Sequence, residues 1–449
     1  MLSGLLEYSI ERLDSLKHFY LLEKKSIDNR AKKGMEINRL GYTINKYFTL
    51  AVLEENQKDD KFKKLEDCVQ KEVEILTIGA KNDRGYAQFR YKDPEKLKGE
   101  GKELDIHKAT TAFHQYADMP IIHGSNTLIM LITRFEEFIS ALLKFIYEKY
   151  PEKYLDKQTV TFSEIVKAGI EEARQHIVFR EVDVAMRKNQ DEWFSILTSH
   201  GMKFDKFEDE LSQLDEIYAR RNIWVHNSGE ANDIYLKTVK EATVKKGDML
   251  FINEEYLLKA FETIKTIIFA IMVESVKISN GDKTQNLYDI FELAFEELKQ
   301  ENYSICKKVF ALISESKFSD SQIILMSKVN AWIAKGELDG YDKIEDEVKS
   351  FDVQTLQGIY SLAKHLLLQD FDSALRIIED LYEKNELPSS ALKEWPLFKR
   401  FRETEQYNTF RENHPDFKGV RSFESDVKEQ DDSADNNTKC EKCEEKHDQ

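Results

Sequence analysis

Glycine, proline and cysteine are scarce in this chain of 449 residues. Seventeen glycines and six prolines are too few for a turn-rich all-β protein or for a collagen-like one. Four cysteines in a chain of this length do not make the disulfide framework of a small secreted domain. The longest apolar stretch, 266–273, is far too short to cross a bilayer, and the first residues lack the basic start and apolar core of a signal peptide. We therefore expect a soluble, cytoplasmic protein without a membrane partner.

Acidic side chains outnumber basic ones, 83 to 66, so that the net charge is −17. Part of this excess is local, because the segment from Glu424 onward carries ten acidic and four basic side chains. A broad basic surface that binds duplex nucleic acid is not expected from this balance, but a local basic site is compatible with it. Hydrophobic residues make up 41% and charged residues 33% of the chain, which suits long helices around buried cores.

Helical periodicity dominates the sequence and predicts an all-α protein in four parts. The first part, 1–105, is a helical region with a small β-hairpin at 75–91, where Asn-Asp and Gly supply the turn. The second part, 106–282, is a compact helical bundle built around a long buried helix. The third part, 283–420, consists of helical hairpins, and the fourth, 421–449, is a polar, acidic tail that we expect to be disordered.

The third part shows a coarse internal repeat. In each unit an aromatic residue follows a helix-breaking position and begins the second helix of a pair; these residues are Tyr303, Tyr341 and Phe371. The starts lie 38 and 30 residues apart, and the mean is close to the 34 residues of a tetratricopeptide repeat, which the segment resembles. A helical-hairpin solenoid is therefore expected, with an ordinary helical bundle as the alternative.

The peptide Ile217–Leu236 is the most informative stretch. Arg220 and Arg221 precede His226 by six and five positions, and Asn222 directly follows the second arginine. The spacing alone is weak, because arginine and histidine recur at such distances by chance. The context adds to it: a helix from about residue 204, an Arg-Asn pair, three further residues, a histidine, and then Asn-Ser-Gly, which is typical of a helix end.

In this form the peptide closely resembles the RNxxxH motif of the HEPN domains, small helical bundles found in many prokaryotic toxin and phage-defence ribonucleases. The resemblance covers roughly 120–280. It implies a homodimer whose two motifs meet at the interface and form one composite active site, which cleaves RNA without a metal or other cofactor. The positions that match the motif are Arg221, Asn222 and His226. Arg220 is an additional basic residue and a candidate RNA contact.

The residue types agree with such a reaction. RNA carries its own nucleophile, the 2′-hydroxyl group, so that cleavage needs a base, an acid and a cation near the phosphate. Histidine exchanges protons near neutrality, and the fork of an arginine matches phosphate oxygens. Asn222 and His226 are i,i+4 neighbours, so Asn222 is a candidate to orient the imidazole. Arg221 and His226 point about 140° apart on one helix, which favours a site assembled across a dimer.

Several alternatives stay open at this point. Arginine and histidine in a last helical turn commonly only cap carbonyl groups. Glu136 or Glu137 is a candidate to orient Arg221 across the bundle, but either one also fits a solvated helix face. The tail contains Cys440 and Cys443 followed by His447, which together offer at most three metal ligands where zinc normally takes four; we interpret them as incidental and expect no metal site.

The leading hypothesis from the sequence is a toxin-like endoribonuclease of antiviral defence, whose helical repeats bind a protein trigger or inhibitor. The second hypothesis is a non-catalytic dimeric scaffold or sensor that binds a protein partner through the repeats. A nucleotide-binding regulator that uses the same polar pocket is the third.

Overall fold

The computed structural model describes residues 2–37, 76–81, 87–91, 106–156, 158–239, 244–415 and 417. This part of the chain is mostly helical, which confirms the all-α class in its coarse form. The α-helices, numbered in chain order, are α1 (Leu2–Ile37), α2 (Ile106–Ala117), α3 (Met119–Lys149), α4 (Pro151–Tyr154), α5 (Phe162–Ala168), α6 (Ile170–Met186), α7 (Gln190–Thr198), α8 (Glu208–His226), α9 (Asp233–Thr238), α10 (Glu254–Ser275), α11 (Lys283–Lys299), α12 (Tyr303–Ser314), α13 (Ser321–Asp339), α14 (Glu345–Lys349), α15 (Gly358–Leu367), α16 (Phe371–Glu383), α17 (Ser389–Glu394) and α18 (Glu405–Asn413).

Shorter elements complete the description. The strands β1 (Leu76–Lys81) and β2 (Ala87–Tyr91) pair antiparallel. The 3₁₀ helices are Asp205–Phe207, Val276–Ile278, Tyr341–Lys343, Pro396–Phe398 and Phe401–Glu403. The predictions for the tail at 421–449 and for Cys440, Cys443 and His447 lie outside the described residues. Within those residues, no helix combines the length and the apolar character that a membrane span requires.

The chain divides into two compact units, 1–286 and 287–449. In the first unit, α3 packs against α1, α6, α8 and α10. Its side chains are apolar around most of the helix, and Phe135, Phe138 and Leu142 are almost fully buried. A helix that is apolar on several sides must be enclosed by neighbours, and this enclosure gives α3 a fixed position from which polar side chains reach the surface.

The helix α10 closes the same core. The side chain of Asn253 accepts a hydrogen bond from the backbone N–H of Tyr256 and so caps its first turn. Lys265 of this helix is buried, and its Nζ lies 2.5 Å from Oδ1 of Asp14 on α1. This ion pair and the apolar contacts between the helices hold the N-terminal helix on the core of the first unit.

The second unit is built from packed helices. α12 packs against α13, α15 against α16, and α16 against α18. Tyr303 and Phe371 begin the helices α12 and α16, as the repeat pattern predicts, whereas Tyr341 begins a 3₁₀ turn that is followed only by the five residues of α14. The core is rich in phenylalanine; its largest fully buried side chains include Phe291, Phe310, Phe398, Phe401 and Phe410. The likeness to tetratricopeptide repeats stays a prediction.

Candidate functional site

The motif occupies the last two turns of α8, and a left-handed turn ends this helix. The N–H of Asn227 donates to the carbonyl oxygen of Ile223 at 2.8 Å. Ser228 and Gly229 then adopt φ angles of 52° and 86°, which turn the chain away from the helix axis. A Cβ atom at Gly229 would lie 2.7 Å from Sδ of Met249. Both the backbone conformation and the close packing therefore favour glycine at this position.

One face of α8 is buried, and Asn222 and His226 of the motif lie on its exposed face. Leu214, Ile217 and Ile223 lie in the core, whereas Asn222 and His226 are exposed. Neither exposed side chain has a hydrogen-bond partner among the residues that the structure describes. The predicted hydrogen bond from the asparagine to the imidazole is therefore not formed within one chain, and the histidine does not cap its own helix. Both side chains are available to a ligand or to a second copy of the chain.

Arg220 points into the domain, where the Glu216 carboxylate collects several donors. Arg220 Nε donates to Oε1 of Glu216 at 2.7 Å, and the hydroxyl groups of Tyr235 and Tyr256 donate to Oε1 and Oε2, both at 2.7 Å. The Arg220 Nη1 group donates to the carbonyl oxygen of Phe251 at 2.8 Å. Burial, assisted by the Glu216 carboxylate, raises the pKa of Tyr235 to about 12, so that this phenol stays a donor at neutral pH.

This network assigns a structural role to Arg220. Its guanidinium also stacks on the ring of Tyr256, with Cζ 4.1 Å from the ring centroid. The group connects α8 to the loop before α10 and to the first turn of α10. The geometry gives no support to the prediction that Arg220 contacts RNA, because its Nε and Nη1 groups donate to partners inside the domain.

Arg221 points the other way, toward α3. Its Nη2 group donates to Oε1 of Glu136 at 3.0 Å, and its side chain is 24% exposed. Of the two candidate carboxylates, Glu136 is therefore the one that holds Arg221. Glu137 instead accepts from Arg134 on its own helix. The Arg221 guanidinium is thus held by one carboxylate and still reaches the surface next to the exposed face of α8.

The environment of Glu136 is unusual for an acidic side chain that pairs with an arginine. Burial raises the pKa of Glu136, and the neighbouring Arg221 opposes this shift only in part. The hydroxyl of Tyr218 is buried close to Glu136 but completes no hydrogen bond of normal geometry within the described residues. Burial and the Glu136 carboxylate raise the pKa of Tyr218. The support beneath Arg221 therefore includes two polar groups that are costly to bury.

Exposed apolar side chains lie beside the motif. Residues 229–231 pair with 248–250 through backbone hydrogen bonds, which bring the segment before α10 next to the end of α8. Val225 is 47%, Met249 40% and Phe251 60% exposed. We call these three side chains the apolar rim. Apolar groups that cluster on a surface around polar ones commonly mark an interface.

Sequence reasoning missed the Glu216 network. Glu216 precedes Arg220 by four residues, and this spacing is the usual signal for an ion pair on a helix surface. That signal identifies the pair but not its burial. Tyr235 and Tyr256 reach the carboxylate only through the fold, and no local pattern in the sequence predicts their position.

Within the described residues, no three or more histidine, cysteine, aspartate or glutamate side chains are grouped as a metal site would require. Comparisons of the chain with known protein families, with curated proteins and with solved structures gave no significant match. The site must therefore be interpreted from its own geometry and from the motif.

Proposed function

We propose that this protein is a metal-independent endoribonuclease of the HEPN kind, which acts as a homodimer. The observation that carries the proposal is the different environment of the three motif side chains at the end of α8. Arg221 is held at the surface by Glu136, while Asn222 and His226 on the same helix are exposed. A histidine with a purely structural role is expected to be buried or to bond to its own backbone, and His226 does neither.

The chemistry follows from these groups. A base removes the proton from the 2′-hydroxyl, whose oxygen attacks the adjacent phosphorus. The bond from phosphorus to the 5′-oxygen breaks, and an acid protonates the leaving oxygen, so that the products are a 2′,3′-cyclic phosphate and a 5′-hydroxyl. His226 and the partner subunit's His226 would serve as base and acid. Arg221 would stabilise the additional negative charge on the phosphate oxygens.

A dimer can bring an arginine and a histidine to the same phosphate, which one chain cannot do. Arg221 and His226 lie about 140° apart around α8, so the two side chains of one helix do not converge on one phosphate. A second α8 placed across a twofold axis brings an arginine and a histidine from the opposite direction. The apolar rim beside the motif would be buried in such an interface, which removes its exposure to water.

The substrate is expected to be single-stranded. The net charge of −17 opposes long-range binding to a duplex, whereas short contacts to an RNA loop need only a local cationic site. We assign the enzyme to the toxin-like effectors of antiviral defence, with the helical repeats of 283–420 as the binding region for a protein trigger or inhibitor. A non-catalytic scaffold is the alternative that the apolar rim favours equally, because any dimer would bury the rim.

The test is cleavage of total tRNA and mRNA in EDTA by the wild-type protein and by the His226→Ala variant. We expect the wild type to leave 2′,3′-cyclic phosphate ends and the variant to lose activity by at least about a hundredfold, since removal of a general acid or base costs this much. The matched control is His176→Ala, which removes another exposed histidine of the same unit and should leave the activity unchanged.

The outcomes separate the two functions. Retained cleavage by a folded His226→Ala protein would contradict the assignment of the site. A wild-type protein that dimerises, cleaves no RNA in vitro and is not toxic on expression in cells would favour the scaffold. Loss of activity in both histidine variants would point to a general effect on folding, which the thermal melting curves of the variants would reveal.

A further inference from the structure

A small groove that is open to solvent lies between α1 and α3. It is separate from the motif, although it borders the same helix α3. Apolar side chains form part of its wall, among them Leu5, Phe138 and Ala141, and its polar lining is dominated by Tyr8, Arg12, Arg134 and Glu137.

Two guanidinium groups share one carboxylate in this groove. Arg134 Nη1 donates to both carboxylate oxygens of Glu137 at 2.9 Å. Arg12 Nη1 lies 3.9 Å from Oε2 of the same carboxylate and donates a hydrogen bond to the hydroxyl of Tyr8. Among these three charged side chains one positive charge is in excess. The other nitrogen atoms of both guanidiniums have no protein acceptor among the described residues.

The groove is therefore a local cationic site on an acidic protein. Arginine forks with unused N–H groups match the oxygen atoms of a phosphate, which can accept two parallel hydrogen bonds from one guanidinium. Tyr8 is 53% exposed at the edge of the groove, and Arg12 lies over its ring with Cζ 5.1 Å from the centroid. An aromatic ring beside a phosphate-binding group is a common arrangement for single-stranded nucleic acid, whose bases are free to stack.

The position of the groove relates it to the motif. Glu136, which holds Arg221, and Glu137, which holds Arg134, are consecutive residues of α3. Consecutive side chains on an α-helix point about 100° apart, so the two arginines occupy neighbouring flanks of one helix. The Glu136–Arg221 pair and the groove therefore border the same turn of α3.

We propose that the groove between α1 and α3 binds a backbone phosphate of the single-stranded RNA substrate, a short distance along the strand from the scissile bond, through Arg12 and Arg134. This inference rests on the proposed function, since it names a second binding point for the same substrate. Glu137 competes with the phosphate for both arginines and sets the affinity of the groove.

Binding and cleavage are measured separately to test the inference. The probe is a fluorescein-labelled single-stranded RNA of mixed sequence, and its anisotropy is followed over a series of salt concentrations. The protein is the full-length chain carrying His226→Ala, so that the probe stays intact. Arg12→Gln and Arg134→Gln are introduced singly, and the matched control is Arg30→Gln, which removes an exposed arginine of the same helix α1, 3.7 Å from Glu23.

We expect each groove variant to weaken binding about tenfold, because the substitution removes one charge-assisted hydrogen bond to the phosphate. The slope of log K against log salt should fall by about 0.7 for each phosphate that the variant no longer neutralises, while the control keeps the slope and the affinity. Glu137→Gln should change the affinity in the opposite direction and tighten binding, because it frees both guanidiniums. A groove that serves only to hold α1 on α3 predicts a lower melting temperature for Glu137→Gln and no tighter binding.

Several results would overturn the inference. These are groove variants that bind like the control, a Glu137→Gln protein that binds no tighter, or displacement of the probe by a mononucleotide as readily as by unlabelled RNA. The ribonuclease proposal would survive these results if the wild type still cleaves RNA. Conversely, salt-sensitive RNA binding through the two arginines in a protein that neither cleaves RNA nor is toxic on expression would support the groove and contradict the ribonuclease proposal.

Discussion

Adjacent arginines on α8 have separate roles, and their neighbours rather than their chemistry decide between these roles. Arg220 stacks on Tyr256 and bonds to Glu216 inside the domain, whereas Arg221 bonds to Glu136 at the edge of the surface. The sequence predicts the match of Arg221 to the motif, but it leaves the role of Arg220 open. The burial of Arg220 depends on aromatic side chains that are distant along the chain.

Replacement of Glu136 can separate an effect on RNA cleavage from an effect on the stability of the fold. Burial raises the pKa of Glu136 in the folded protein, so the ionised carboxylate lowers the free energy of unfolding as the pH rises through that raised pKa. Glutamine avoids this loss above the pKa but leaves Arg221 without its anionic partner. We expect Glu136→Gln to melt at the same or a higher temperature at pH 7 and to cleave RNA roughly 10- to 100-fold more slowly.

The matched control is Glu148→Gln on the same helix, whose carboxylate lies 4.0 Å from Lys144 and outside both the Arg221 pair and the groove. Melting curves of the wild type and of Glu136→Gln at acidic pH should converge, because the wild-type carboxylate is then protonated as well. A variant that loses stability at pH 7 and cleaves RNA normally would show that the pair has a structural role only.

At the scale of elements, one buried ion pair contributes to the packing of α1 on the core. Lys265 of α10 is almost fully buried and pairs with Asp14 of α1, which is partly exposed. Removal of one partner leaves the ammonium without this carboxylate in the core. We expect Asp14→Ala to lower the free energy of unfolding by about 2 kcal/mol, less than for a fully buried pair because Asp14 is in contact with water.

Urea denaturation would measure this change. The control is Asp28→Ala on the same helix, whose partly exposed i,i+4 pair with Lys24 at 2.8 Å should contribute less than about 0.5 kcal/mol. Replacement of both members of the buried pair by apolar residues, Asp14→Leu with Lys265→Met, should recover most of the lost stability. If Asp14→Ala and Asp28→Ala lower the free energy of unfolding by similar amounts, the burial of Lys265 contributes little to stability.

Much of the helical architecture could be predicted from the sequence, because amphipathic periodicity depends on local spacing. The buried faces of α3 and α10 and the turn that ends α8 are of this kind. The sequence places the start of α8 only approximately, at about residue 204, since a 3₁₀ turn at Asp205–Phe207 precedes the α-helix. The repeat pattern predicts that the second helix of a repeat unit begins at Tyr341, yet this residue begins a 3₁₀ turn. Periodicity alone does not report where hydrogen bonds change from one helical type to another.

Less of the candidate site than of the helical fold could be predicted from the sequence. The motif identifies Arg221, Asn222 and His226 with their positions on one helix, and the sequence offers Glu136 as one of two possible partners. The choice between Glu136 and Glu137 depends on the orientation of α3 relative to α8, which is a tertiary property. The groove between α1 and α3 has no sequence signature, since its arginines lie more than a hundred residues apart in the chain.

For the whole molecule, the central prediction is a dimer that forms through the apolar rim. Phe251 is exposed next to the motif, while its backbone carbonyl is held by Arg220. A charge at this position would have to be buried in the interface without a partner. We expect Phe251→Asp to shift the protein from dimer to monomer in light scattering and to abolish cleavage.

The control is Phe179→Asp on α6, since Phe179 is 72% exposed in the same unit and lies outside the rim. This variant should remain dimeric and active. A wild-type protein that is monomeric at all concentrations would contradict the composite site. A Phe251→Asp protein that stays dimeric would place the interface elsewhere on the surface.

The consecutive positions of Glu136 and Glu137 have a consequence for where a bound RNA strand would be cut. The two carboxylates hold arginines on neighbouring flanks of one rigid, enclosed helix, and no loop intervenes between them. Because both carboxylates are fixed to α3, the distance between the Arg221 site and the groove is expected to vary little with thermal motion. A strand bound at both places would be cut at a constant number of nucleotides from its anchored phosphate, so that α3 would act as a molecular ruler.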